Sequence, residues 1–317
     1  MRLKLFILLA LIALAFSASR ASAQVCNFSI SNFNFGNINI GPGGTPPTTG
    51  TLTANCSGIA NRTLTICPNI GDGTGGSTSG TPRFLVNGAS TIPYNFLQPN
   101  GQVWGSFVWP YAPRAPVLTL TLNAQGTGAL SQTIQAAISG TIAAAPTGIF
   151  TSTYSGFHTL LDYGYAPGQN CNSVSNRATQ AAFNVQATNV ATCNVSTTAL
   201  DFGTLSGLTT AQAATGQLGI TCTKGVNYTV SLGNGSSGGT GPASRKMLSV
   251  ATGSTINYGI YRDAAHLQAW GQTIGTDTAA GTGTGLQQNL TAYGYLPAQG
   301  NPAPATYSDT VVVTVSY

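Results

Sequence analysis

The last eight residues of the chain alternate. Val311, Val313, Val315 and Tyr317 fall on one face of an extended strand, and Thr310, Val312, Thr314 and Ser316 fall on the other. A second alternating run puts Phe183, Val185 and Ala187 on one face. Such runs recur between clusters of Gly, Asn, Ser and Thr, the residues of turns. The pattern predicts an all-β protein of many short strands. One stretch departs from it. Leu5 to Phe16 is a continuous apolar run, preceded by Arg2 and Lys4 and followed by Ala21-Ser22-Ala23. That is the layout of a secretory signal peptide over residues 1–23, too short to span a bilayer comfortably. A lipoprotein would want a small residue directly before Cys26, where Val25 stands.

Composition sharpens the prediction. Charged residues make up only 5% of the chain, against roughly 25% in ordinary proteins. All six acidic residues are aspartate, and the good exposed-helix formers Glu, Lys and Arg are scarce. The formal charge of +5 falls to about +2 once Arg2, Lys4 and Arg20 leave with the signal. No basic run remains, which argues against nucleic acid as a partner. The remaining length, about 294 residues, suggests two domains.

The chain repeats itself. "CNFSISNFNFGNI" from Cys26 matches "CNVSTTALDFGTL" from Cys193, and "GTLTANC" ending at Cys56 matches "GQLGITC" ending at Cys222. Further on, Ile92–Phe96 parallels Ile256–Ile260, Trp104-Gly105 parallels Trp270-Gly271, and "GIFTST" from Gly148 parallels "ATYSDT" from Ala305. The common order points to duplication. It divides the chain into residues 24–171, a connecting segment 172–190, and residues 191–317. The first part of that segment is polar and linker-like; its alternating second part suits a strand of either half. Six cysteines allow 15 pairings, and equivalence selects Cys26–Cys56 and Cys193–Cys222. Cys67 and Cys171 then pair by elimination, in the oxidising compartment that a signal peptide implies. A metal site is not expected, since there is no C-x-x-C and only His158 and His266 could assist. Nor does any motif call for a cofactor.

At this point the motifs resemble a known family. "LDFGTL", "GQLGITC", "INYGIY", "AYGYLPAQG" and the terminal "ATYSDTVVVTVSY" are similar to the spore coat U domain, the building block of archaic, Csu-type chaperone–usher pili. The second half matches along its length. The first matches more loosely, keeping "FNFGNI" and "GIFTST" and adding Cys67 and Cys171. The tandem arrangement looks like that of a pilus tip adhesin. The resemblance implies two immunoglobulin-like β-sandwiches, the C-terminal one lacking its last strand. A periplasmic chaperone would supply that strand first, and an adjacent pilin subunit later, by strand addition to an open edge. Val311, Val313, Val315 and Tyr317 would form the groove edge. An outer-membrane usher is the further implied partner, and the implied route runs through the periplasm to the cell surface. If cleavage follows Ala23, only Gln24 and Val25 precede Cys26. The chain is then expected to accept a strand and donate none, which puts it at the distal end of a fibre with its first domain outermost.

Enzymatic chemistry finds little support. His158 in "GFHTLLDYGY" is expected on a strand, sharing a face with Asp162, but no nucleophile motif accompanies the pair. Asp309 is expected at a turn or strand entry. "GNGSSGG" (Gly233 to Gly239) fits G-x-G-x-x-G without a β-α unit around it, and "GDGTGG" near Asp72 is a single weak echo of calcium-binding repeats. The stretch "VWGSFVWPYAPRAP" from Val103 stands out instead. Trp104 has a counterpart in Trp270 and belongs with the shared core. Phe107, Val108, Trp109, Pro110 and Tyr111 have no aromatic counterpart and are broken by proline, so they are expected to form a contact loop. The candidate ligand is an apolar surface, or an unknown host or glycan ligand on which Trp109 and Tyr111 could stack. The expected function is that of a non-enzymatic pilus tip subunit for surface attachment and biofilm formation. The alternatives are a shaft or coat protein without adhesive function, and a carbohydrate-binding tip.

Overall fold

The computed structural model describes residues 24–39, 45–108, 114–166, 168, 170–179 and 182–317; the signal-peptide segment lies outside them. Twelve strands come first: β1 (Val25–Ile30), β2 (Phe33–Ile38), β3 (Thr48–Ser57), β4 (Thr63–Ile70), β5 (Arg83–Asn87), β6 (Ser90–Leu97), β7 (Leu118–Thr121), β8 (Thr127–Ile138), β9 (Gly148–Tyr154), β10 (Thr159–Gly164), β11 (Asn176–Thr179) and β12 (Phe183–Asn189). Eight follow: β13 (Cys193–Thr197), β14 (Gln212–Cys222), β15 (Asn227–Leu232), β16 (Arg245–Leu248), β17 (Thr255–Tyr261), β18 (Ala279–Thr282), β19 (Gln288–Leu296) and β20 (Val313–Ser316).

The first twelve make an eight-stranded sheet, ordered β1-β3-β8-β6-β5-β9-β12-β2, and a four-stranded sheet, ordered β11-β10-β4-β7. Alternation explains most of them: the odd residues of β12 are buried and its even ones are not. β4 is different, buried on both faces from Leu64 to Ile70, because its outward face is covered too: Cys67 is bonded to Cys171, and Asn69 is met by Ser106 and Phe107. The two sheets enclose one core rich in aromatic rings, including Phe33, Phe96, Phe150, Tyr154 and Phe183. β13 to β20 form a five-stranded sheet (β13-β14-β19-β17-β16) and a three-stranded sheet (β18-β15-β20). These enclose a second, smaller core around Ile220, Val230, Tyr258 and Trp270.

Three disulfides are present: Cys26–Cys56, Cys67–Cys171 and Cys193–Cys222. The first and third join directly opposed residues of neighbouring antiparallel strands, β1 to β3 and β13 to β14. These are the pairs that the repeat selects.

The repeat also has a structural signature that its sequence hides. Arg83 and Arg245 occupy equivalent positions and are buried to 2% and 0% exposure. Among the described residues neither forms an ion pair with an acid. Arg83 donates to the carbonyls of Gly71 (2.6 Å), Ile70 (2.8 Å) and Trp104 (2.7 Å). Arg245 donates to those of Gly233 (2.8 Å), Leu232 (3.1 Å) and Trp270 (2.7 Å). The indoles complete the unit: Trp104 Nε1 donates to Pro68 O (2.9 Å) and Trp270 Nε1 to Val230 O (2.8 Å). Each guanidinium thus satisfies carbonyls where the chain leaves one sheet for the other, so its burial leaves few orphan acceptors. The shared Phe-Gly motif has a local cause too. Gly36 and Gly203 sit at φ of +67° and +73°, and their N–H groups donate to Asn34 Oδ1 and Asp201 Oδ1, both at 2.8 Å. That turn needs an Asx residue, then a glycine two positions on.

Candidate strand-acceptor groove

β12 shows what completes a sandwich in this protein. It pairs antiparallel with β9 along its whole length, Phe183 opposite Tyr154 and Asn189 opposite Gly148. On its other side it runs parallel to β2. Phe183 stacks on Tyr154 with ring centroids 4.7 Å apart and planes at 7°, and it also meets Phe33 and Phe96. Just upstream, β11 continues the same course beside β10. β11 and β12 therefore line the strands that end the first sandwich. The alternating run that suits either half in sequence belongs to this sheet.

The second sandwich has the flanking elements without the strand between them. Residues 305–311 correspond to β9, and Leu200–Leu205 correspond to β2. The equivalence extends to single contacts: Val86 bridges Thr151 in the first sandwich, and their counterparts Leu248 and Ser308 bridge in the second. Among the described residues no strand lies where β12 would be. In its place is a groove of about 390 Å³. Leu200 and Phe202 form one wall, Tyr307, Val311 and Val313 the other, and Leu218, Met247, Tyr258, Ile260 and Ala292 lie between. Burial follows. Phe33, Phe35, Phe150 and Tyr154 are buried, whereas their counterparts Leu200, Phe202, Tyr307 and Val311 are only half-buried.

Of the groove-edge residues expected from sequence, Val311 and Val313 line the groove. Val315 is half-buried against the second core, and Tyr317 is 60% exposed. Only Val313–Ser316 form a ladder, with β15; Tyr307–Val311 form none and are tied to β16 by the single bridge. The opposite edge of β20 is unpaired among the described strands.

A polar cluster fixes the groove's geometry. Asp309 accepts from Tyr258 Oη (2.7 Å), Ser236 N (2.9 Å), Ser237 N (3.1 Å) and Thr310 N (2.9 Å). The glycine-rich loop Gly233–Gly239 thus wraps a carboxylate of its own chain, which accounts for both features. A Cβ on Gly235, at φ +87°, would stand 1.9 Å from Asp309 Oδ2. Burial, and then the bond to Asp309, raise the Tyr258 phenol well above its ordinary value. In the first sandwich the Tyr94 and Tyr154 hydroxyls pair with each other at 2.5 Å. Burial pushes Tyr154 up to about 12.

Of the aromatic stretch, the described residues show the core half. Trp104 is fully buried, and Phe107 and Val108 are half-buried. Trp109, Pro110 and Tyr111 lie outside the described residues. The root of the loop is tethered: Phe107 N donates to Asn69 Oδ1 (2.6 Å), and Asn69 Nδ2 donates to Asp162 Oδ2 (2.9 Å). Gly105 N reaches Arg114 O (3.3 Å), and the Arg114 guanidinium lies 5.5 Å from the Phe107 ring centroid. Asp162 is engaged from the other side by Arg177, through Nε (2.6 Å) and Nη2 (3.0 Å).

This corrects the expected sharing of a face by His158 and Asp162. His158 is not on a strand; it ends a 3-10 turn, Gly156–His158. Its Nδ1 accepts from Gly73 N (3.1 Å) and lies 3.8 Å from Asp72. The glycine at 156, at φ +53°, breaks the alternation before His158 can join β10. Among the described residues no group of three or more His, Cys, Asp or Glu is placed to hold a metal ion.

A family profile described as the Spore Coat Protein U domain matches residues 12–155 and again 179–314. "Protein U" of Myxococcus xanthus is 35% identical over 107 residues, 32% of this chain and 59% of that protein's own length. Among solved structures, the fold is similar to the CsuC–CsuE chaperone–tip adhesion subunit pre-assembly complex from archaic chaperone–usher Csu pili of Acinetobacter baumannii. There the TM-score is 0.53 at 15% identity, covering 92% of this chain and 100% of that one. The CupB6 tip adhesin of Pseudomonas aeruginosa matches at a TM-score of 0.36 and 11% identity, covering 91% and 94%, too remote to bear on the argument.

Proposed function

The chain belongs to the Spore Coat Protein U domain family, and from that premise we propose that it is the tip subunit of an archaic chaperone–usher pilus. Its second sandwich accepts a strand from a periplasmic chaperone, then from the adjacent pilin at the outer-membrane usher. Its first sandwich, outermost at the cell surface, makes the adhesive contact. One observation carries this: the position held by β12 in the first sandwich is an open apolar groove in the second, with equivalent walls. β12 is itself engaged between β9 and β2, so in the first sandwich the corresponding position is already filled by the chain's own strand. Residues 24–171 with the segment to 190 act as the adhesive domain, and residues 191–317 as the docking domain.

The contact is assigned to Phe107, Val108, Trp109, Pro110 and Tyr111. Burying an apolar patch of about 300–600 Å² contributes roughly 7–15 kcal/mol gross, against association costs of about 4–15 kcal/mol. One tip then binds weakly, and firm attachment and biofilm formation depend on many fibres together.

Gold-labelled antibody against this chain should mark fibre ends. Cells carrying Trp109→Ala with Tyr111→Ala should make normal fibres but lose attachment to polystyrene. Label along the whole fibre would overturn the tip position in favour of a shaft or coat role. Unchanged attachment would remove the aromatic loop from the contact. Competable binding on a glycan array, lost in the same variant, would make the tip a lectin instead.

A further inference from the structure

The two sandwiches meet at a joint whose parts recur, uncovered, at the far end of the second. β12 ends at Asn189 and β13 begins at Cys193, so three residues connect them. Thr223, directly after the second cysteine of its sandwich and fully buried, holds that connector. Its N–H donates to Thr192 O (2.9 Å), its hydroxyl to Val190 O (3.2 Å), and it accepts from Thr192 N (3.2 Å). Beside the connector, the loop from β8 to β9 (residues 139–147) reaches across. Pro146 bridges Lys224. Gly285, at φ +81°, lies so close that a Cβ would stand 1.7 Å from Ala143 O. Asn189 Nδ2, at the end of the completing strand, donates to Ala145 O (3.0 Å) and Pro146 O (2.9 Å). Ile142 and Ala145 are buried.

The repeat maps that loop onto residues 297–304, "PAQGNPAP", between β19 and the segment equivalent to β9. This copy carries no charge, and its Gly300, Asn301, Ala303 and Pro304 are exposed. It is nevertheless held in shape. Gln299 exchanges hydrogen bonds with the backbone of Asn257 (2.9 and 3.1 Å). Asn301 Oδ1 accepts from Leu208 N (2.7 Å), and the Tyr307 hydroxyl donates to Ala303 O (2.7 Å). An exposed, uncharged loop fixed by four side-chain bonds loses little freedom on docking.

We propose that residues 297–304 are the docking surface for the body of the next subunit, and that the joint inside this chain is the pattern for the joint below it. The occupant is a subunit of the same family. It presents the turn after its second cysteine, the counterpart of Thr223–Val226, with a glycine in the place of Gly285. A Ser or Thr directly after that cysteine would hold a connector of about three residues behind its donated strand. This rests on the strand-acceptor reading and adds to it: strand donation alone would leave the two bodies free to swing, whereas the loop locks their angle.

Fibres from cells producing the full chain with p-benzoylphenylalanine in place of Ala303 or Pro304 would be irradiated and resolved by mass. A third variant would carry the photoreactive residue at the exposed Leu267 as a control. The expected result is an adduct one subunit heavier at 303 and 304, several-fold above Leu267, with the cross-linked peptide lying just after the neighbour's second cysteine. Fibres that contain the chain but give no adduct above the control overturn the docking proposal alone. A chain absent from fibres overturns the strand-acceptor reading and this inference with it. An adduct mapping elsewhere on the neighbour refutes the copied joint.

Discussion

If the groove is a strand site, the protein's own strand should fill it when offered in the right place. The perturbation is to append a copy of residues 176–189 after Tyr317 through a short polar turn. The direction is right, because β11 runs antiparallel to β10 and β12 to β9 in the first sandwich, so a hairpin from β20 delivers the copy. Register follows from equivalence: the copy of Phe183 should lie opposite Val311, that of Val185 opposite Asp309, and that of Ala187 opposite Tyr307. In their native setting these three residues are at most 1% exposed. Comparing the appended chain with one whose copy carries Ser at all three inward positions cancels the cost of ordering the backbone. What remains is the transfer of Phe, Val and Ala side chains, about 5 kcal/mol. At about 2–4 °C per kcal/mol for a unit of this size, the melting transition of the second sandwich should separate by roughly 10–20 °C between the two chains. Scanning calorimetry reads it directly. Two appended chains melting together, within a degree or two of the parent, would refute the equivalence of groove and β12.

Three further outcomes follow from the same contacts. Phe183→Ala should cost about 3–5 kcal/mol in chemical denaturation, confined to the transition of the first sandwich, because it removes a ring packed against Tyr154, Phe33 and Phe96. Arg245→Met should destabilise the second sandwich by about 1–3 kcal/mol for each carbonyl left without a donor, and Arg83→Met the first, by urea titration of each. The Tyr154 phenol, raised from 10 to about 12 in the fold, keeps its proton where the unfolded chain has lost it. Its contribution of about 2–3 kcal/mol is therefore complete below pH 10 and is lost as pH rises towards 12. Alkaline melting curves of Tyr154→Phe should fall less steeply through that window than those of the parent.

Much of the architecture is legible because a duplicated chain carries its own alignment. The cysteine pairs, the buried Trp104 with its counterpart Trp270, and the correspondence of Gly148 with Ala305 all come from matching one half to the other. The membership of Phe183–Asn189 does not. Alternation states that a strand has one buried face, and nothing in it names the sheet that buries that face. The arginines are hidden for another reason. A lone Arg reads as surface charge, and only the carbonyls of Ile70, Gly71 and Trp104, brought together by the crossing of two sheets, make its burial tolerable. The matching positions of Arg83 and Arg245 were the available signal. The misplacement of His158 is local, since the period-two pattern around it is real but Gly156 interrupts it. At the groove, the apolar edge is visible in Val311 and Val313, while the opposite wall, Leu200 and Phe202, forms no strand and is visible only through its match to Phe33 and Phe35.

The short connector also decides how the molecule behaves under tension. A pull between the two sandwiches enters the first through Val190 and draws β12 along its own axis. Its bonds to β9 on one side and β2 on the other lie across that direction, so they are strained together in shear instead of parting one after another. The same pull enters the second sandwich at Cys193, where the bond to Cys222 spreads it at once over β13 and β14. The strand that completes the first sandwich thus doubles as its tow-line, anchored on both flanks and stiff along its own axis.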